Sequence, residues 1–348
     1  MNGQYDHEEE KTESEFDEKP SDFSQHSDPV KKNKIVPVSI SCSMALLIVC
    51  VIFFFLSVAK RNVPPPELIQ YWNNLTEDVS NDPIDEYITI KGRKYSTSVT
   101  YLDLSIKNDL QNEDIVPLKY MTGLTDLDLS RNQISDITPL SSLTNLTSLH
   151  LENNQISDTA PLSELTNLTS LNLENNQISD ITPLSSLTGL TSLNLRSNQI
   201  SDIAPLSSLT NLTHLYLYLN QISDIAPLSE LTNLTWLHLD YNQISDIAPL
   251  SELANLTWLT FSDNQISDIT PLSSLTGLTR LGVDNNQISD ITPLTDLKGL
   301  IELSLSKNPI SDITPLSSLR SLTWLDLENT QISDWSPVAH VSMVFGKP

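Results

Sequence analysis

The stretch LTSLNLENNQISDITPLSSLTG, residues 168–189, decides the fold. Leu171 and Leu173 are two apart, so both side chains leave one face of a short extended segment, and Asn172 between them leaves the other. A strand this short buries little alone. Copies stacked side by side make a parallel sheet that lines a curved solenoid. Asn176 ends the strand, and its amide, with two donors and one acceptor, is expected to tie the turn backbone to the next unit. Ile178 and Ile181 then fill the interior. Pro183 fixes φ and opens a short helical turn on the outer side, and Leu184 and Leu187 close the core.

The rest of the chain repeats this text. Leucines 124, 146, 168, 190, 212, 234, 256, 278, 300 and 322 recur every 22 residues without an insertion. Proline recurs in step from Pro139 to Pro337, and aspartate from Asp136 to Asp334. The ladder asparagine runs from Asn132 to Asn308, and Thr330 takes the last place. An earlier, looser unit begins near Tyr101 and is three residues longer, which brings the count to eleven. An atypical first unit is expected of such an array.

The consensus LxxLxLxxNQISDITPLSSLTNLT resembles the 22-residue leucine-rich repeat of the internalin-like bacterial surface proteins, and the resemblance covers residues 100–348. The closing stretch ISDWSPVAHVSMVFGKP is similar to the way such arrays end. The resemblance implies an α/β-type repeat solenoid, a horseshoe with short parallel strands on the concave face and 3-10 turns on the convex face. It also implies a cell-surface protein that binds other proteins through the concave face. Internalins carry an immunoglobulin-like domain after the repeats and a sortase motif of LPXTG type; residues 1–348 hold neither, and an N-terminal anchor is expected instead.

That anchor is residues 35–59, IVPVSISCSMALLIVCVIFFFLSVA, which hold no charge. A helix over 38–59 is roughly 33 Å long at about 1.5 Å per residue, enough to cross a bilayer core of about 30 Å. Residues 1–34, with ten acids and five bases, are expected to be a disordered cytoplasmic tail. Lys31, Lys32 and Lys34 before the span against Lys60 and Arg61 after it place the repeats outside the cell. Cleavage after Ser57–Ala59 as a signal peptide is the competing reading. Residues 60–99 form a stem and N-terminal cap. Leu68, Tyr71, Trp72 and Leu75 have helical spacing, and residues 86–96 alternate around Lys91-Gly92 as a hairpin expected to cover the first edge of the array.

Composition narrows the chemistry. The net charge of −25 repels phosphate backbones, so nucleic acid is not an expected partner. Cys42 and Cys50 both lie in the apolar run, which leaves no disulfide framework and no zinc site of cysteine type. No nucleophile elbow accompanies His150, His214 or His238, and no phosphate-binding glycine loop is present; neither catalysis nor a cofactor is expected. The aspartate column could bind calcium, but a residue present in every copy is expected to hold its own turn. The NLT triplets at Asn74, Asn145, Asn167, Asn211, Asn233 and Asn255 are mostly repeat text.

What varies between copies lies on the outward side of the strands. The third position reads Asp126, Ser148, Ser170, Ser192, His214, Trp236, Trp258, Arg280, Glu302, Trp324. At the fifth, Tyr216 and His238 stand where neighbours carry Asn172 and Asn194. At the seventh, Tyr218 and Asp240 stand where neighbours carry Glu174 and Arg196, and Tyr241 follows at the eighth. Ring-bearing residues thus gather on three consecutive strands, where drift would scatter them. His214, Tyr216, Tyr218, Trp236, His238, Asp240, Tyr241 and Trp258, with Trp324 as a second anchor or part of the end, are the expected partner-binding residues. The expected ligand is a protein, with a glycan as the alternative. The rival reading is an intracellular scaffold or sensor that regulates an enzyme from the cytosolic side.

Overall fold

A computed structural model describes residues 86–105 and 109–347, within the compact unit Asp82–Pro348. The expected tail, the span at 35–59 and the stem helix lie outside the described residues. Among the described residues no helix is long and apolar enough to cross a membrane.

The hairpin forms as expected, with β1 at Tyr87–Ile90 and β2 at Arg93–Ser96. Lys91 at φ 47° and Gly92 at φ 76° make the turn, the pair of positive φ values that a two-residue hairpin favours. Ile88 and Ile90 bury their side chains and Tyr95 packs against the core. The hairpin is a separate sheet, however, and does not extend the main one. It therefore covers the end of the apolar core, and among the described residues no strand pairs with the outer side of the first edge strand.

That main sheet has twelve strands in strict sequence order, all parallel. It opens with β3 at Tyr101–Asp103 and β4 at Asp126–Asp128, in register at the longer first interval. β5 (Ser148–His150), β6 (Ser170–Asn172), β7 (Ser192–Asn194), β8 (His214–Tyr216), β9 (Trp236–His238) and β10 (Trp258–Thr260) follow. Then come β11 (Arg280–Gly282), β12 (Glu302–Ser304), β13 (Trp324–Asp326) and β14 (Met343–Phe345). β14 is a twelfth strand that the repeat pattern does not announce. Between β3 and β4 the looser first unit holds one α-helical turn, α1 at Asn112–Ile115.

Each strand is short because its apolar text is short. The leucine at the strand centre and the one after it are buried, as at Leu171 and Leu173, while the flanking residues are half-buried. A 3-10 turn with proline in its first two positions follows each strand from β3 to β13, from Val116–Tyr120 to Ser336–Val338. The carboxylate two residues ahead of the turn caps it: Asp180 Oδ1 accepts the Thr182 N–H at 2.8 Å and Asp224 Oδ1 the Ala226 N–H at 2.8 Å. Phe261 replaces the usual leucine in the core and is fully buried, and Val283, one unit on, is smaller. That pairing keeps the volume of the stack nearly constant.

The asparagine ladder runs in the opposite direction to the one expected. Asn176 Nδ2 donates to Leu151 O at 3.0 Å and Leu173 O at 3.1 Å, and its Oδ1 accepts the Ile156 N–H at 3.0 Å. Each amide reaches back to the preceding unit, not on to the next. Thr330 therefore does not end the ladder for want of a neighbour. Its short hydroxyl reaches only Leu327 O, at 2.7 Å, and the Ile310 N–H turns to Asn308 O instead. Two further ladders explain the NLT text. Asn211 Nδ2 donates to Thr188 O at 2.9 Å, and Thr213 Oγ1 donates to Thr191 O at 3.0 Å.

Candidate functional site

The rings at the third position of β8, β9 and β10 form a row. His214 and Trp236 have centroids 4.9 Å apart, and Trp236 and Trp258 are again 4.9 Å apart, each pair tilted by about 60°. The spacing follows from the strand separation, since parallel strands in register put equivalent side chains side by side. Tyr216 and His238 form the next row at 5.1 Å, and His238 also meets Trp258 at 5.0 Å, which joins the two rows. In the third row Tyr218 meets Tyr241 edge-on at 5.2 Å.

Two arginines close the ends of this cluster. Arg196 lies over the Tyr218 ring at 4.7 Å and pairs with Glu174 Oε1 at 3.3 Å. Arg280 lies over the Trp258 ring at 4.8 Å and pairs with Glu302 Oε2 at 3.2 Å. Each guanidinium is held by a carboxylate one strand further out and holds the ring one strand further in. The cation–π contacts fix the outer rings before any ligand arrives. Sequence reasoning missed both arginines, although their columns place them beside the rings.

A trough of about 470 Å³ runs across the fifth and seventh rows, lined by Arg196, Tyr216, Tyr218, His238, Asp240 and Thr260 among others. His238 Nε2 is buried there without a hydrogen-bond partner. Burial holds the His238 imidazole below its ordinary pKa, against the pull of Asp240. Burial likewise raises the Tyr216 phenol. Asp240 is already engaged: Oδ2 accepts the Thr260 hydroxyl at 2.5 Å and Oδ1 the Ser262 N–H at 2.8 Å. It contributes charge to the trough with those lone pairs spent.

The fifth-position residues are not all free of the fold. Asp128, Asn172, Asn194 and Asp326 each accept the N–H two residues on. Tyr216 and His238 do not, and these two units give up a turn contact to carry rings. Trp324 does not join the cluster. It meets Phe345 of β14 at 5.6 Å and belongs to the end of the array. Leu219, which sequence reasoning also missed, is 40% exposed beside Tyr218, and Tyr241 is 47% exposed.

One arrangement has the order of a hydrolytic triad. Ser148 Oγ lies 3.3 Å from His150 Nε2, and His150 Nδ1 lies 3.8 Å from Glu152 Oε2. The second separation is too long for a hydrogen bond. The Thr147 and Ser148 N–H groups both donate to Thr125 O, so the backbone beside Ser148 offers no oxyanion site. Among the described residues no group of three His, Cys, Asp or Glu is placed to hold a metal ion.

The aspartate column predicts an acid response. At Asp136, Asp180, Asp268, Asp290 and Asp312 the threonine hydroxyl first, and its N–H second, hold the carboxyl below its ordinary pKa. At Asp334 the Ser336 N–H leads and its hydroxyl follows. Depressed carboxyls stabilise the fold above their unfolded pKa, and that stability is lost as the pH falls through the folded one. Glu152, raised by desolvation, acts in the opposite sense as a single group. The melting temperature is therefore expected to fall progressively below about pH 4. A calorimetric melt unchanged between pH 6 and pH 3 would contradict the capping role.

Comparisons with known proteins agree with this geometry. The profile described as Leucine Rich repeats (2 copies) matches residues 144–186, 188–230 and 254–296. A second leucine-rich repeat profile matches 276–332 and a third 121–137. No curated protein matches the chain. An internalin, InlF, from Listeria monocytogenes is 38% identical over 73% of this chain and 76% of its own, with a TM-score of 0.70. The plant peptide hormone receptor RGFR1, solved in complex with RGF2, is 25% identical over 62% of this chain and 38% of its own, with a TM-score of 0.56. The TDR receptor, at 24% identity and a TM-score of 0.66, shares the fold.

Proposed function

Because this chain belongs to the internalin-like leucine-rich repeat proteins, we propose that it binds a protein ligand through the ring-bearing face of β8, β9 and β10. The observation that carries the reading is the continuous cluster of rings, closed at both ends by an arginine and its carboxylate. Tryptophan and tyrosine supply most of the energy at protein interfaces, and rings held in place lose little entropy on binding. The peptide-bound receptor among the similar structures supports a protein or peptide ligand over a glycan. A net charge of −25 favours a partner with positive charge around its apolar contacts.

The proposal includes display outside the cell on a single-pass N-terminal anchor. Its support is the uncharged run at 35–59 and the lysines ahead of it, Lys31, Lys32 and Lys34. Protease treatment of intact cells tests it. Loss of the repeat region with retention of residues 1–34 is expected. Full protection would overturn surface display and favour the cytosolic scaffold.

A further inference from the structure

The residue after each seventh position turns the chain out of the strand with a left-handed backbone. Ten residues share it: Arg131, Asn153, Asn175, Ser197, Leu219, Tyr241, Asp263, Asn285, Lys307 and Asn329, with φ between 51° and 59°. Asparagine and aspartate tolerate this region and most other side chains do not. Asparagine fills four of the ten places. At two places in the column side chains link to one another: Asn175 Nδ2 donates to Asn153 Oδ1 at 2.9 Å, and Asn285 Nδ2 donates to Asp263 Oδ1.

Arg131, Ser197 and Lys307 also depart from asparagine and aspartate, but they are polar, whereas Leu219 is aliphatic and Tyr241 aromatic. Leu219 and Tyr241 are adjacent in the column, both lie in left-handed backbone, and both are exposed, at 40% and 47%. Neither makes the column's amide link. Their main-chain bonds are the ordinary ones, Leu219 N–H to Asp240 O at 3.0 Å and Tyr241 N–H to Ser262 O at 2.9 Å. The turn itself does not call for a leucine or a tyrosine there, and backbone strain of this kind collects where function requires it. Tyr241 meets Tyr218 at 5.2 Å, so this apolar pair continues the ring-bearing face around the end of the strands. On either side the column returns to polar residues, Ser197 and Asp263.

We infer that the recognition surface turns off the strand face onto this rim, and that Leu219, Tyr241 and Tyr218 seat one apolar side chain of a protein segment flanked by lysine or arginine. The inference rests on the strand face being the binding surface. The patch is two units wide, roughly 10 Å at the spacing of neighbouring strands, which suits a single anchor. Charge decides what surrounds the anchor. Asp240 precedes Tyr241, and Asp263 lies beside it one unit on, close enough to raise the Tyr241 phenol. The nearby base, Arg196, is already paired with Glu174 and stacked on Tyr218. Basic flanks on the partner complement this border, and acidic flanks are repelled.

The test uses the full chain in neutral detergent, with a random-peptide phage library as the probe. Selected peptides are expected to share an apolar residue with lysine or arginine beside it. Restoring the column's own residue in the double variant L219N/Y241N should weaken those peptides about tenfold while the protein melts no lower than the parent. That combination separates a binding role from a structural one, since a structural pair would lower the melt. The inference is overturned if no peptide is selected, if acidic flanks dominate, if the double variant melts lower, or if it binds the peptides undiminished. The double variant W236A/W258A separates the two readings. Loss of binding there with none at the rim leaves the strand face standing and removes the rim. Undiminished binding by both double variants removes both.

Discussion

Replacing Trp236 or Trp258 with alanine is expected to weaken binding of the partner protein by at least ~2 kcal/mol, about thirtyfold, and to leave the array folded. Both side chains sit at the outward third position, while the core beneath them is Leu237 and Leu259, fully buried and untouched by the change. Trp258 should be the more sensitive of the two. It touches Trp236, His238 and Arg280, so its removal also takes away the ring on which the closing guanidinium lies. Ser170→Ala, at the same position on β6, is the control and should change nothing. Asn172→Ala is a poorer control, because Asn172 accepts the Glu174 N–H at 3.1 Å. Equal affinity of the tryptophan variants and the parent, measured by calorimetry, would remove the strand face as the binding surface, as would loss of binding that only tracks unfolding.

The second large effect concerns stability. Asn220→Ala is expected to destabilise the array by about 1–3 kcal/mol, because the buried Ile200 N–H loses its partner and the Leu195 and Leu217 carbonyls are each left with one amide donor, from Asn198 and Asn242. Asn220 Oδ1 accepts the Ile200 N–H at 3.0 Å, and Nδ2 donates to Leu195 O at 3.0 Å and Leu217 O at 3.1 Å. The residue is 9% exposed, so water replaces few of these bonds. Because the amide reaches into the preceding unit, the damage crosses a repeat boundary, and nearest-neighbour coupling should spread it. Asn198→Ala should cost less, since that rung is only part-buried. A denaturant melt of Asn220→Ala that matched the parent would show that the ladder does not hold the units together.

Periodicity made much of this structure legible in advance. A fixed interval of 22 residues sets the register from β4 to β13, so His214, Trp236 and Trp258 had to fall side by side. The hairpin was legible for a different reason, since Lys91-Gly92 stands between two alternating runs. The direction of the ladder was not legible. A repeat has the same text on both sides, and only the backbone geometry says which neighbour Asn176 reaches. The arginine stacks on Tyr218 and Trp258 were hidden similarly, because a column shows adjacency and not which way a long side chain lies. Leu219 was missed because its strain is conformational: the sequence shows a leucine among asparagines, and the positive φ that makes this costly appears only in three dimensions. β14 escaped because Met343–Phe345 pairs with β13 after a shorter interval than the repeat.

The central claim, that the rings of β8, β9 and β10 are the recognition surface, is tested most directly by oxidative footprinting of the intact chain with and without its partner protein. Trp236, Trp258, Tyr216 and Tyr218 are predicted to become protected together, while Trp324, which stacks on Phe345 at the far end, stays unchanged. Protection at Trp324 or along the outer 3-10 turns, with Trp236 and Trp258 still fully reactive, would contradict it.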